Sequence, residues 1–261
     1  MPRLAANLTM LFGEKDFLDR FGEAARAGFQ GVEYLFPYAW EAAELARRLR
    51  EHGLCQVLHN LPAGNWAAGE RGIACHPDRM DEFKTGVGQA IKYATALDCE
   101  RVNCLAGILP PGVGAAAARE TFVKNLRYAA PLLESAGITL LIEPINTRDI
   151  PGFFLSGTQQ AIEIIDAVGS ANLQLQYDVY HMQIMEGEVA ATIERLLPRI
   201  GHMQLADVPG RHEPGTGTID FPALFAQVDR IGYDGWIGCE YIPAAGTAAG
   251  LAWAGPYLAK P

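Results

Sequence analysis

Four polar residues recur at matching places along this chain: Glu143 in LLIEP, Asp178 in LQYDVYH, Gln204 in HMQLAD and Glu240 in GCEY. Each closes a short apolar run, and they lie 35, 26 and 36 residues apart. Three carboxylates and an amide oxygen form a hard, oxygen-rich donor set suited to Mg2+ or Mn2+, whereas zinc or copper more typically recruits His or Cys. Carboxylates clustered without a cation would repel one another and take up protons. A single Glu at a strand end is often only a surface or salt-bridged residue. Four such groups in successive units point to a site. Among the six histidines, His59 and His181 are the site candidates, the first closing an apolar run and the second three residues after Asp178. His52 precedes a helix-ending glycine, where a cation suits the helix dipole. His76 falls in a loop, and His202 reads as a core histidine below Gln204. Arg211, in PGRHEPGTGTID, is placed to hold an anionic substrate by a bidentate contact.

The elements that must bring these residues together repeat along the chain. A helix-patterned segment leads into a glycine and then a short apolar run: Phe17 to Ala25 before Gly28, Leu45 and Leu49 before Gly53, Phe122 to Leu133 before Gly137, Ala161 to Val168 before Gly169, Val189 to Leu197 before Gly201, and Leu224 to Ile231 before Gly232. Glycine past a helix adopts the left-handed conformation that other residues resist, and so closes it. The following runs are too short for helices and apolar enough for buried parallel strands. RLAANL near the start and RVNCLAG at 101–107 bring the strands to eight. The later glycines, from 137 to 169, 201 and 232, are 32, 32 and 31 residues apart. Eight such units predict one (β/α)8 TIM barrel domain over 1–261, with no linker dividing it. Long connections at 60–79 and 146–156 follow strand ends, so they fall on the barrel's C-terminal face, where sites are built. Their Trp66, Phe153 and Phe154 suit either water exclusion or packing.

Composition narrows the class. With 261 residues, 49% hydrophobic and 20% charged, the chain is globular rather than disordered or coiled-coil. Its net charge of −9 argues against nucleic acid, whose phosphates draw on Lys and Arg. The five cysteines, Cys55, Cys75, Cys99, Cys104 and Cys239, form no C-x-x-C pair and read as reduced thiols. Neither a secretory signal nor an apolar run of membrane-spanning length stands out, so a soluble, cytoplasmic protein with no membrane partner is expected.

The segments HNLPAGNWAAGERGIACHP, LLIEPIN, QYDVYHMQ, EPGTG and GWIGCEY resemble the hydroxypyruvate isomerase family, within the xylose isomerase-like barrel superfamily. The similarity runs from Ala5 to Leu251. It implies interconversion of hydroxypyruvate, a small oxo-acid, and tartronate semialdehyde, with Glu143 and Glu240 as the acid/base pair. The wider superfamily pattern implies a divalent-metal site at Glu143, Asp178, Gln204 and Glu240. His59, His181 and Arg211 are then the candidates for orienting the substrate carboxylate. Thr218 stands where the family usually has Glu in G-T-G-E, and Ile242 where it has Lys in C-E-Y-K-P; both departures lie near the barrel mouth. Barrels of this kind often form homo-oligomers. A ketose 3-epimerase or an isomerase of a longer oxo-acid, such as 2-oxo-tetronate, would use the same four groups. An endonuclease IV-type enzyme shares an Asp-x-x-His like Asp178–His181, but has His and Asp ligands where this chain has Gln204 and Gly210. A non-catalytic metabolite-binding barrel is set aside by the paired glutamates.

Overall fold

The eight expected strands form in the computed structural model, which describes residues 1–258. They are β1 (Arg3–Asn7), β2 (Gly31–Glu33), β3 (Cys55–Asn60), β4 (Arg101–Cys104), β5 (Thr139–Ile142), β6 (Leu173–Asp178), β7 (Ile200–Leu205) and β8 (Trp236–Cys239). Each pairs in parallel with its neighbour in chain order, and β1 closes on β8 with Leu4 beside Ile237 and Ala6 beside Cys239. The strands are short and apolar because both faces are covered, by side chains filling the barrel on one side and by helices on the other.

The outer layer comprises α1 (Arg20–Arg26), α2 (Ala42–His52), α3 (Met80–Ala96), α4 (Ala115–Ser135), α5 (Thr158–Val168), α6 (Val179–Met185), α7 (Val189–Leu196) and α8 (Phe221–Arg230). In α4, Phe122, Leu126, Ala129 and Leu133 are fully buried, while Tyr128 and Leu132 on the opposite side are exposed. That division is what an apolar stripe at helical period produces.

Gly53 and Gly169 end α2 and α5 with φ of 63° and 73°, in the left-handed region. Gly201 departs from the expected pattern. It lies inside β7, and Pro198 in a short 3-10 turn at Leu197–Arg199 already ends the preceding helix. Its lack of a side chain provides space instead: a Cβ there would stand 2.7 Å from Leu141 Cδ2 and press on the Gln174 side chain. All five cysteines are unpaired. Among the described residues, no helix is long and apolar enough to cross a membrane.

The two long connections are fastened to the segment after β4. Gly72 bridges Ala106, and Ile108 bridges Phe153. Residues 60–79 and 146–156 thus share one anchor beside the barrel mouth. Phe153 is buried, and Phe154 packs edge-on against Phe122, so these two aromatics anchor their loop. Trp66 instead faces the cavity described next.

Candidate functional site

Strand register gathers the four strand-end groups. Asp178, the last residue of β6, is beside Gln204 in β7, and Gln204 is beside Gly238 of β8, two residues before Glu240. Glu143 and Glu240 each follow directly on the last residue of β5 and β8. All four are buried. Glu143, Glu240, His181 and Arg211 line a cavity of about 250 Å³, which is also bounded by Asn60, Trp66, Arg71, Asp149 and Gln176.

The carboxylates are held by amides. Gln176 donates to Glu143 (3.0 Å) and to the side-chain oxygen of Gln204 (2.6 Å). Asn103 donates to Glu143 at 2.9 Å. The amide nitrogen of Gln204 donates to Glu33 at 2.7 Å and to Glu240. Asn7 donates to Glu33 (3.0 Å) and Glu240 (3.1 Å). His202 lies with Nε2 2.8 Å from Glu33, which gives it the core partner its sequence position suggests. Asn7, Glu33, Asn103 and Gln176 are not singled out by the sequence reading. Their signal is a buried polar residue within a strand or closing it, as at Gln204.

Arg211 sits among these acids, with Nη2 2.7 Å from Glu240 and 3.8 Å from Asp178. Its backbone is left-handed, with φ of 55°, an uncommon and costly conformation for a side chain of this size. The loop pays for this through Asp207, whose carboxylate accepts from the main-chain nitrogens of Val208 (2.8 Å), Gly215 (2.9 Å), Gly217 (2.8 Å) and Ile219 (3.1 Å). The two family departures lie on this loop and its neighbour. Thr218 bonds through both its backbone nitrogen (2.8 Å) and its hydroxyl (3.0 Å) to the Val208 carbonyl. Ile242 donates its main-chain N–H to the Arg211 carbonyl at 2.8 Å, a bond independent of its side chain.

Of the two histidine candidates, His181 reaches the cavity, whereas buried His59 does not line it. The His59 Nδ1 is instead 3.1 Å from the Asn60 carbonyl and 3.5 Å from the Tyr38 hydroxyl. Burial lowers the His59 pKa to about 4. His181 Nε2 is 3.5 Å from Asp178 and 3.8 Å from Glu143. Burial, aided by the nearby Arg211 guanidinium, holds its pKa well below the usual histidine value, so the ring is neutral.

Burial raises the carboxyl pKa values as well. Glu143 is pushed well up by desolvation and then by Glu240 and Asp178. Desolvation takes Glu240 to about 8 and Asp178 to about 6, with Arg211 pulling both back down. Three buried carboxyls (Glu143, Asp178 and Glu240) thus act on one guanidinium, and the excess negative charge calls for protons or a cation. A carboxylate oxygen of Glu143 and one of Asp178 lie within 4.8 Å of each other and of a His181 ring nitrogen, close enough for the two oxygens to share an ion. Asp178 Oδ2 is buried without a hydrogen-bond partner among the described residues, as a cation-binding oxygen would be. This oxygen-rich set fits a divalent metal.

A family model described as xylose isomerase-like TIM barrel matches residues 21–257. The chain is 54% identical over 257 residues to the hydroxypyruvate isomerase of Escherichia coli (strain K12), covering 98% of this chain and all of that one. It is 50% identical over 260 residues to the 2-oxo-tetronate isomerase of Cupriavidus necator, covering 100% of both. The crystal structure of an AP endonuclease, family 2, from Brucella melitensis superposes with a TM-score of 0.97 at 48% identity, over 99% of this chain and 100% of that one.

Proposed function

Since the chain belongs to the xylose isomerase-like TIM barrel family and is an oxo-acid isomerase, we propose that it interconverts hydroxypyruvate and tartronate semialdehyde (2-hydroxy-3-oxopropanoate). The observation that carries this reading is a pair of buried glutamates, Glu143 and Glu240, on one cavity beside a neutral histidine.

The reaction removes a proton from C3 of hydroxypyruvate, returns one at C2, and moves one between the C3 and C2 oxygens. A carbon acid beside a carbonyl is too weak for water to deprotonate quickly, so a positioned base is required. One of Glu143 and Glu240 takes the C3 proton, and that residue or the other returns a proton at C2. Their raised pKa values place proton uptake and release nearer neutral pH than an ordinary carboxylate allows. His181 Nε2 stands beside Glu143, and, with Asn146 Nδ2 on Nδ1 at 2.7 Å, it carries the ring proton that a substrate oxygen can receive as a hydrogen bond while negative charge develops. Arg211 orients Glu240, and Gln176 with Asn103 orients Glu143. A Mg2+ or Mn2+ ion, for which Glu143, Asp178, Gln204 and Glu240 are the proposed holders, would act as a Lewis acid toward the substrate oxygens when bound.

A four-carbon substrate, 2-oxo-tetronate, is the second reading. A cavity of about 250 Å³ leaves room for a further hydroxymethylene group, and a 2-oxo-tetronate isomerase is among the full-length relatives. The test is proton NMR of hydroxypyruvate and of 2-oxo-tetronate in D2O, with and without a chelator. Deuterium entry at C2 and C3 is the expected result, with formation of the aldehyde from hydroxypyruvate or of the 3-oxo acid from 2-oxo-tetronate. No exchange and no product from either acid, with Mg2+ or Mn2+ present, would overturn the reading.

A further inference from the structure

We propose that Arg71 receives the carboxylate of the substrate and makes the site selective for oxo-acids over uncharged ketoses. This deepens the function proposed above and rests on it.

An anionic substrate entering this cavity meets a wall dominated by buried acids. Arg211, the cation that sequence points to, is already engaged through Nη2, which bonds Glu240 at 2.7 Å and lies 3.8 Å from Asp178, although its buried Nε meets no acceptor among the described residues. A substrate carboxylate there would compete with two protein carboxylates for one guanidinium. The other arginine on the cavity wall is Arg71. Among the described residues, no carboxylate approaches its guanidinium within the 4.0 Å of an ion pair.

Arg71 is nonetheless held in place. Its Nη1 donates to the main-chain carbonyls of Trp66 (3.1 Å) and Glu70 (2.8 Å). Its guanidinium lies over the Trp66 ring, 4.2 Å from the centroid, and Trp66 packs edge-on against Phe36. The adjacent Glu70 does not neutralise it, because that carboxylate is engaged by Arg79 and the Asn65 main-chain N–H. On the other side, Gly72 (φ 118°) is bridged to Ala106, and a Cβ there would strike the Leu105 backbone. Nη1 and the ring face are thus committed, while among the described residues Nε and Nη2 meet no protein acceptor. Those two N–H groups form the edge that binds a carboxylate bidentately, on a side chain whose ordering cost is already met.

The test compares hydroxypyruvate with 1,3-dihydroxyacetone, in which a hydroxymethyl group replaces the carboxylate. Arg71→Gln is expected to raise KM for hydroxypyruvate about 10- to 100-fold, the size of a lost charge-assisted pair, with kcat within about threefold. Proton exchange into dihydroxyacetone should be unchanged, and Arg71→Lys should recover part of the hydroxypyruvate KM. A residue that merely tied the loop would depress both substrates together. An unchanged hydroxypyruvate KM, or an equal loss for both substrates, overturns the proposal while leaving the wild-type activity standing. If Arg71→Gln does not fold, Arg71→Lys with an unaltered KM overturns it by itself. A wild-type protein inactive on both hydroxypyruvate and 2-oxo-tetronate removes the functional reading and this proposal together.

Discussion

The side-chain amide of Asn146 donates to Nδ1 of His181 across 2.7 Å, and its own orientation is fixed from the other side. Asn146 Oδ1 accepts from the main-chain nitrogens of Arg148 (3.1 Å) and Asp149 (2.8 Å), which leaves only Nδ2 to face the ring. A neutral imidazole that accepts at Nδ1 must carry its proton on Nε2. The 146–156 loop therefore sets the tautomer that presents an N–H to the cavity and keeps Nε2 from serving as a metal ligand. The oxygen ligands carry the metal fit.

Removing that constraint should affect turnover more than binding. Asn146→Ala is expected to lower kcat about 10- to 100-fold, the scale of one displaced polar catalytic group, with KM within a few-fold. Nitrogen-15 NMR of the His181 ring should show Nε2–H in the wild type and a mixed tautomer population in the variant. An unmixed Nε2–H tautomer in the variant, or unchanged kcat, would count against the role.

Replacing either glutamate tests the acid/base pair. Glu143→Gln and Glu240→Gln should each reduce kcat by about 10²-fold or more, the contribution of a positioned proton-transfer group. The fold should survive in both, because Gln keeps the size of the side chain and an acceptor oxygen for the surrounding amides. Circular dichroism and steady-state kinetics on the same preparations check both points; near-wild-type kinetics in either variant would sink the assignment.

The raised carboxyl pKa values predict how the metal-free protein responds to pH. A carboxyl whose folded pKa exceeds its unfolded value favours folding at low pH, and that contribution is lost as pH rises through the folded value. For Glu240 the loss is spread from the ordinary carboxylate range up to about pH 8. His59 and His181, lowered in the folded state, act in the opposite sense only below about pH 6.5. The informative window is therefore pH 7 to 9. In chelator the melting temperature should fall across it, by roughly 5 °C or more, and added Mg2+ should offset the fall. Buried Cys99 and Cys104, also raised, shift in the same direction near the top of this window. The difference between wild type and Glu240→Gln is thus the measure, and the variant should show the flatter profile.

Sequence made the barrel and the strand-end acids legible because both depend on local signals. Glycine after an apolar helical stripe marks a unit, and a carboxylate closing an apolar run marks a strand end. The structure places Glu143, Asp178, Gln204 and Glu240 together because each ends or lies near the end of a strand and the strands pair in chain order around the closed barrel. Gly201 shows the limit of the same rule, since a glycine required for space beside Leu141 looks in sequence like one that closes a helix. The partners of the acids were less legible. Asn7 and Glu33 lie in short strands whose register brings them side by side, and neither is distinctive until the barrel closes. Whether an arginine is free or already paired is equally a matter of three-dimensional neighbours. That separates Arg71 from Arg211 and His181 from His59.

Asp207 shows how a residue outside the chemistry can control it. It is fully buried, and four main-chain N–H groups of the 208–219 loop converge on its two oxygens. In Asp207→Asn one oxygen becomes an NH2 that cannot accept, which strands N–H groups and sets donor against donor. Each buried group left unsatisfied costs about 1–3 kcal/mol. The loop also carries Arg211 in its left-handed conformation, so loosening it lets that backbone relax and draws the guanidinium away from Glu240. Asp207→Asn should therefore lower the melting temperature by roughly 3–10 °C. It should also reduce kcat at temperatures where the fold is intact, because Glu240 loses its orienting partner. Arg211→Lys separates the two effects, since it keeps the loop and changes only the fork that meets Glu240. It should reduce kcat with little change in melting temperature. If Asp207→Asn melts early yet turns over normally at 20 °C, the loop contributes stability alone and Arg211 needs no such frame.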